Sequence, residues 1–95
     1  MDFNNAMFSG HAVRRMFEWS VSRDEVMQVL RDGEVIAEYL DDTPFPSYLL
    51  LGYPAARPLH VVAAFDRRTD TCHVITTYPP DPDRWQQDFK TRRKS

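Results

Sequence analysis

His60 is the residue whose setting most strongly suggests chemistry. It lies in an apolar run, residues 58–65, and an imidazole can act as a general acid or base near neutral pH. A polar turn separates this run from a second β-prone run, residues 71–78, so the pattern predicts an antiparallel hairpin. In the simplest register His60 lies opposite Thr77 on a partly polar face of the sheet. The alternative is a structural histidine, partly buried and bonded to Thr77 or to a backbone carbonyl group.

The hairpin register also bears on metal binding and on nucleophilic catalysis. It places His60, His73 and Thr77 on one face and leaves the other face nearly all apolar. The two histidines are then several residues apart along the hairpin, about 13 Å, which is too far for both to ligate one metal ion. Cys72 falls on the apolar face and is interpreted as a core residue rather than a nucleophile. The sequence therefore predicts neither a metal site nor a cofactor.

His11 and Arg15 are the second candidate pair for chemistry. They are one helical turn apart on the polar side of a predicted helix, so both side chains share one helix face. An arginine guanidinium can bind phosphate through two parallel hydrogen bonds, and the pair could therefore hold a phosphate group. A solvated helix face, with Arg14 and Glu18 as a weak ion pair, is the alternative interpretation.

Two short helices near the start of the chain must position that pair. Ser9 can cap a helix over residues 10–19. Ser22 and Glu25 have the spacing of a capping box at the start of the next helix, and Gly33 lies where a left-handed residue would end it. The side chains expected on the apolar side of the first helix are Ala12, Val13, Met16, Phe17 and Trp19.

The pattern becomes extended after the second helix. Residues 35–39 and 47–53 favour strands, and a proline-bearing loop joins them because proline cannot supply ladder donors. With the hairpin, the element order is two helices followed by four strands. This order predicts an α+β domain with two N-terminal helices packed on a four-stranded antiparallel sheet. If the helices cover the face opposite His60, then His11 and Arg15 can approach it only around an edge of the sheet.

Length and composition bound the kind of protein. With 95 residues the chain has room for one domain, with a flexible start at residues 1–8, a globular core at 9–89 and a basic tail at 90–95. Trp85 and Phe89 are expected to dock a helical turn on the core. A single cysteine leaves no internal disulfide and favours a reducing compartment. With no signal peptide and no apolar stretch near the roughly 20 residues of a spanning helix, we expect a cytoplasmic protein without a membrane partner.

Several short motifs are arranged in order over nearly the whole chain. They are residues 9–16 (SGHAVRRM), 33–39 (GEVIAEY), 51–52 (LG), 58–62 (PLHVV) and 75–78 (ITTY), together with Ser47 and Pro80. Their order and spacing resemble a small prokaryotic family catalogued only as a domain of unknown function. Members of that family look like toxins of the RelE/MqsR kind, which are often encoded beside an antitoxin with an MqsA-like zinc finger.

The resemblance implies a RelE-like fold of the microbial-ribonuclease type. It also implies the activity of a type II toxin, the metal-independent endoribonucleolytic cleavage of messenger RNA. The implied partners are RNA and a cognate antitoxin, with no binding of DNA by the chain on its own. The positions of this sequence that match recurring positions of the family are His11, Arg15, Glu38, His60, Thr77 and Tyr78.

Most of these residues can be given a step in RNA cleavage. His60, or Glu38 in its place, would remove the proton from the ribose 2′-hydroxyl group. The resulting oxygen would attack the adjacent phosphorus while Arg15 stabilises the negative charge on the phosphoryl oxygens. His11 or Tyr78 would protonate the departing 5′ oxygen. DNA lacks the 2′-hydroxyl group and would not be cut.

The distribution of charge leaves other functions open. The formal net charge is −2, and the basic residues available to RNA are Arg67, Arg68, Lys90, Arg92 and Arg93. The basic tail could equally be the segment that an acidic antitoxin covers. A non-catalytic protein-binding module, in which the polar face and this tail hold a partner, is the alternative function. A standalone RNA-binding domain would need exposed aromatic residues on the sheet, which the predicted polar face lacks.

Overall fold

The computed structural model, which describes residues 1–94, shows two α-helices packed on a five-stranded mixed sheet. The helices are α1 (Gly10–Glu18) and α2 (Arg23–Asp32). The strands are β1 (Asn5–Phe8), β2 (Glu34–Tyr39), β3 (Ser47–Gly52), β4 (Leu59–Asp66) and β5 (Thr71–Tyr78). Their order in the sheet is β1-β5-β4-β3-β2. Strand β1 runs parallel to β5, and the other neighbouring pairs are antiparallel.

The strand β1 corrects the predicted four-stranded antiparallel sheet. Residues 5–8 fall in the segment expected to be a flexible start, yet they pair in parallel with residues 71–74 of β5. Four residues are too few to show a strand periodicity of their own, and the edge with which they pair exists only in the folded protein. Because β1 ends there, residues 75–78 of β5 have no strand beside them on that side.

Both predicted helix caps are confirmed. The Ser9 hydroxyl accepts a hydrogen bond from the first turn of α1 at 3.0 Å, and Ser22 and Glu25 form the reciprocal bonds of a capping box. The left-handed conformation expected of Gly33 is wrong, because its φ is −71°. A Cβ atom there would overlap the carbonyl oxygen of Val29, so the glycine serves close packing instead. No helix within residues 1–94 is long and apolar enough to cross a membrane.

The core lies between the helices and one face of the sheet. Buried apolar side chains fill it from both layers, including Val26, Val29 and Leu30 of α2 and Leu50, Leu59, Val61, Ala63, Cys72 and Val74 of the strands. Helix α1 buries less than its sequence pattern predicts. Ala12 is fully buried, but Val13 and Phe17 are 54% and 87% exposed. The outward side of α1 is therefore partly apolar.

The β4–β5 hairpin follows the predicted register only near its turn. A β-bulge at Ile75 places one extra residue in β5, so that His60 lies opposite Tyr78 rather than Thr77. A shift of one residue reverses the face that each later side chain takes. Thr77 is therefore buried on the side covered by the helices instead of sharing a face with His60. The pairing of His60 with Thr77 was wrong because β-prone residues surround the bulge and give no signal for it.

The C-terminal segment, defined here as residues 81–93, crosses the sheet face that the helices leave open. Turns shape it in place of the predicted helical turn, and an antiparallel bridge joins Trp85 to Arg92. Trp85 docks as expected and is 7% exposed. Its ring centre lies 4.7 Å from that of His60, edge to face. Phe89 is only partly buried.

Candidate functional site

A cleft of about 430 Å³ lies between α1, the end of β5 and the C-terminal segment. It opens beside the part of β5 that has no neighbouring strand, so side chains from both faces of the sheet can meet around this edge. We call it the edge cleft. The residues that line it are His11, Arg15, Trp19, Thr76, Tyr78, Pro79, Asp81, Arg84, Trp85 and Arg92.

Helix α1 brings His11 and Arg15 to the edge cleft from successive turns. Their spacing puts both side chains on one helix face, as the sequence predicts. The Arg15 Nη1 atom lies 2.8 Å from the Glu18 Oε2 atom, and both side chains are partly exposed. An exposed ion pair of this kind contributes at most about 1 kcal/mol, so Arg15 can readily exchange Glu18 for a phosphate group.

Strand β5 brings Tyr78 to the edge cleft. Burial raises the pKa of the Tyr78 phenol, and the nearby positive charge of Arg92 partly opposes that effect. The phenol is therefore protonated at neutral pH and is available as a hydrogen-bond or proton donor. Thr76, two residues earlier, adds a hydroxyl group to the same cleft.

The C-terminal segment adds Arg84 and Arg92 to the edge cleft. The backbone N–H of Arg93 donates to the carbonyl oxygen of Arg84 at 2.8 Å, which folds the segment back on itself. The guanidinium carbon of Arg92 lies 5.4 Å from the centre of the Trp85 ring. This cation–π contact holds the Arg92 side chain against the buried indole.

Charge distinguishes the edge cleft from a second cleft of about 570 Å³ between α2, the end of β3 and the C-terminal segment. Three arginines and one acid, Asp81, line the edge cleft, so its local charge is positive. The charged residues of the second cleft are Asp32, Glu34, Asp88 and Lys90. Within residues 1–94 no group of His, Cys, Asp or Glu side chains is arranged to hold a metal ion. Because the local charge of the edge cleft is positive, a ligand that carries phosphate fits it better than it fits the second cleft.

His60 lies outside the edge cleft, underneath the C-terminal segment. Its side chain is fully buried, and its Nε2 donates to the carbonyl oxygen of Phe89 at 2.8 Å. The ring of Tyr78 stands edge to face with it, the ring centres 5.4 Å apart. The Nδ1 atom has no hydrogen-bond partner among residues 1–94. Burial lowers the pKa of His60, and the bond to Phe89 partly opposes that effect. A bond to a backbone carbonyl is the structural alternative that the sequence left open.

Thr77 and Glu38 also lie away from the edge cleft. The hydroxyl of Thr77 donates to the backbone carbonyl oxygen of His60 at 2.7 Å, inside the helix-side core. Glu38 is exposed on β2, which is three strands from β5 in the sheet and therefore about 14 Å away. The structure thus brings together His11, Arg15 and Tyr78 but not these two residues.

The basic residues expected to bind RNA are spread over the surface. Of the five, Arg92 lines the edge cleft. Arg67 and Arg68 lie in the turn between β4 and β5, at the far end of the hairpin from the cleft. Lys90 lies in the second cleft, and Arg93 donates to two backbone carbonyl groups of the C-terminal segment. Residues 90–93 of the predicted tail are therefore folded onto the protein and contribute one arginine to the candidate site.

Six residues that line the edge cleft are not among the site residues predicted from the sequence: Trp19, Thr76, Pro79, Asp81, Arg84 and Trp85. Trp19 was assigned to the buried side of α1, whereas it lines the edge cleft. Asp81 and Arg84 lie in a stretch without regular periodicity, and they reach the cleft because the C-terminal segment folds back over the sheet. The adjacent Trp85 is a local signal, since a large apolar residue in an otherwise polar stretch is typical of a segment that docks on the core.

One family of known proteins matches this chain over most of its length. No curated protein and no solved structure matches it. A family model described as a domain of unknown function (DUF4258) matches residues 8–79, well over half of the chain. The match includes both helices and the strands β2 to β5, and it ends just before the C-terminal segment. The chain therefore belongs to the DUF4258 family.

Proposed function

We propose that this protein is the toxin of a type II toxin–antitoxin system and cleaves messenger RNA as a metal-independent endoribonuclease. The edge cleft is its active site. The observation that supports the proposal is that His11, Arg15 and Tyr78, which match recurring positions of the family pattern, line the same positively charged cleft. The α+β arrangement of two helices on a sheet is compatible with the small ribonuclease fold that the resemblance implies.

The positions of the side chains support one assignment of the proposed reaction steps. Because His60 is buried and Glu38 is three strands away, His11 takes the proton from the ribose 2′-hydroxyl group. The 2′ oxygen forms a bond to the adjacent phosphorus, and Arg15 stabilises the negative charge on the phosphoryl oxygens. The bond from phosphorus to the 5′ oxygen breaks, and the Tyr78 phenol gives that oxygen its proton. The products carry a 2′,3′-cyclic phosphate and a 5′-hydroxyl group.

The remaining residues of the edge cleft bind the RNA on either side of the cut. Arg84 and Arg92 attract the flanking phosphates. Trp19 is exposed at the end of α1 and offers a ring on which an unpaired base can stack. Single-stranded RNA is therefore the expected substrate, and DNA is left intact because it lacks the attacking hydroxyl group.

Incubation of the purified protein with single-stranded RNA in EDTA tests the proposal. We expect fragments that end in a 2′,3′-cyclic phosphate, and no cleavage of the equivalent DNA. His11→Gln and Arg15→Gln should each lower the cleavage rate by at least about 100-fold. Arg14→Gln is the matched control, because Arg14 is exposed on the same helix but does not line the cleft. RNA that stays intact both when free and on translating ribosomes would contradict the endoribonuclease proposal.

A non-catalytic protein-binding module is the second candidate function, and the outward face of α1 favours it. Val13 and Phe17 are exposed one turn apart on this helix. Large apolar side chains exposed together mark protein interaction sites. If the chain is a toxin, its antitoxin is the partner proposed for this face. Phe17→Ser should then prevent co-purification with the protein encoded by the neighbouring gene, whereas Arg14→Gln should not.

A further inference from the structure

His60 makes two close contacts that hold the C-terminal segment to the sheet. Trp85 is the buried side chain of the segment, and its ring covers the His60 imidazole at 4.7 Å between ring centres. The carbonyl group of Phe89 accepts the hydrogen bond from His60 Nε2 at 2.8 Å. The ion pair of Lys90 with Glu34 is exposed and contributes little. Both contacts of the segment with β4 therefore involve the imidazole of His60.

The neutral form of His60 suits this position and the protonated form does not. Since Nε2 carries the hydrogen that it donates to Phe89, Nδ1 is the unprotonated nitrogen of the neutral ring. Protonation adds a hydrogen and a positive charge at a buried atom with no partner among residues 1–94. A buried charge without a partner is strongly unfavourable, and burial lowers the pKa of His60 accordingly. Water can solvate the charge only when Trp85 and Phe89 move away.

The groups around His60 do not offset such a charge. On β5 the neighbour is the neutral phenol of Tyr78, and on β3 the residue opposite is the apolar Leu51. The C-terminal segment contributes Arg92, which is itself positive and lies on the Trp85 ring. The carboxylate of Asp88 is exposed and accepts hydrogen bonds from its own turn.

We propose that His60 is an acid-sensitive clasp: protonation of its imidazole detaches the C-terminal segment from the sheet while the rest of the fold stays intact. Detachment carries Arg84 and Arg92 away from the edge cleft, so RNA binding weakens as the pH falls. This consequence rests on the proposed function of the cleft, whereas the detachment itself does not. Acidification thus regulates RNA binding at the edge cleft through the protonation of His60.

Amide hydrogen exchange of the wild-type protein at pH 7.5 and pH 5.0 tests the clasp without any ligand. The N–H groups of Gln86 and Arg93 report on the segment, because each donates to a carbonyl group of the segment at 2.8 Å. Val61 reports on the sheet. After correction for the intrinsic rates, protection of the two segment amides should fall at pH 5.0 by up to about 30-fold. About 30-fold is the largest fall expected if the exposed His60 has a pKa near 6.5 and the buried His60 binds no proton, because only the detached state then gains stability from protonation.

Two variants show whether His60 causes the response. His60→Gln keeps an N–H donor near the Phe89 carbonyl group but does not titrate, so its segment protection should be the same at both pH values. His73→Gln is the matched control, because His73 lies in the same hairpin away from the C-terminal segment and should leave the response unchanged. Equal protection of the wild-type segment at both pH values would overturn the clasp, and so would a response that persists in His60→Gln.

RNA binding separates the clasp from the proposed function. A fluorescein-labelled oligouridylate is titrated with the wild-type protein and with His60→Gln at the same two pH values. We expect the wild type to lose affinity at pH 5.0 relative to the variant. An exchange response without oligouridylate binding at either pH would leave the clasp standing and contradict the edge cleft as an RNA site. Oligouridylate binding without an exchange response would contradict the clasp and leave the edge cleft standing as an RNA site.

Discussion

The Thr77 hydroxyl donates a hydrogen bond to the backbone carbonyl oxygen of His60 at 2.7 Å and does not contact the His60 imidazole through it. The sequence predicts the two side chains opposite each other on one face. The bulge at Ile75 instead turns Thr77 into the core under the helices. The bond is therefore part of the packing of the β4–β5 hairpin, and the imidazole is free to bind the C-terminal segment.

Replacing Thr77 should affect stability. Thr77→Val removes the hydroxyl with little change in shape and leaves a buried carbonyl group with one bond fewer. We expect the free energy of unfolding to fall by about 1–2 kcal/mol, measured by urea denaturation. Thr76→Val is the matched control on the opposite face and should change it by less than about 0.5 kcal/mol. Equal effects of the two substitutions would contradict the role assigned to the Thr77 bond.

Two glycines should respond to alanine in opposite ways. A Cβ atom on Gly33 would overlap the Val29 carbonyl oxygen and lie 2.9 Å from the carbonyl oxygen of Leu51. Because backbone atoms cannot easily move aside, Gly33→Ala should lower the free energy of unfolding by about 1–3 kcal/mol. Gly10 begins α1, and a Cβ atom added to it would have open space for 4 Å around it. Gly10→Ala should therefore be neutral or stabilising by up to about 1 kcal/mol, and a loss of stability there would contradict this account.

Cys72 should be unreactive in the folded protein. It is fully buried in the helix-side core, and burial raises the pKa of its thiol to about 11. The reactive species is the thiolate, so alkylation by iodoacetamide at pH 8 should be at least about 100-fold slower than in the protein unfolded with guanidinium. Mass spectrometry over time measures both rates. Rapid labelling of the native protein would show that the core around Cys72 opens.

Arg84 and Arg67 should differ in their effect on RNA binding. Arg84 lines the edge cleft, whereas Arg67 lies in the distant β4–β5 turn. Arg84→Gln should weaken binding of an oligouridylate and lower the slope of log affinity against log salt by about 1. Arg67→Gln is matched in charge and should change neither quantity. Titrations at several salt concentrations measure the slope, and an effect of Arg67→Gln equal to that of Arg84→Gln would point to binding along the whole surface.

Local patterns in the sequence were sufficient for the helices and for most of the strands. The bonds of Ser9 and Ser22 lie within one turn of each cap, and the apolar, β-prone run that predicts β4 extends over a few neighbouring residues. The spacing of His11 and Arg15 likewise determines that they share one helix face. The partners in these interactions are only a few residues apart in the sequence. A local pattern therefore contains the information that predicts them, and these predictions are confirmed.

Contacts between distant parts of the chain decided the rest of the fold and the composition of the site. The pairing of β1 with β5 joins residues far apart in sequence, and the bulge at Ile75 follows from fitting β5 against β4. The C-terminal segment reaches the sheet through Trp85, and this docking buries His60 and places Arg84 in the edge cleft. Such contacts depend on the geometry of the whole sheet. The sequence by itself therefore determined the types of the candidate site residues, and the tertiary structure decided which of them meet.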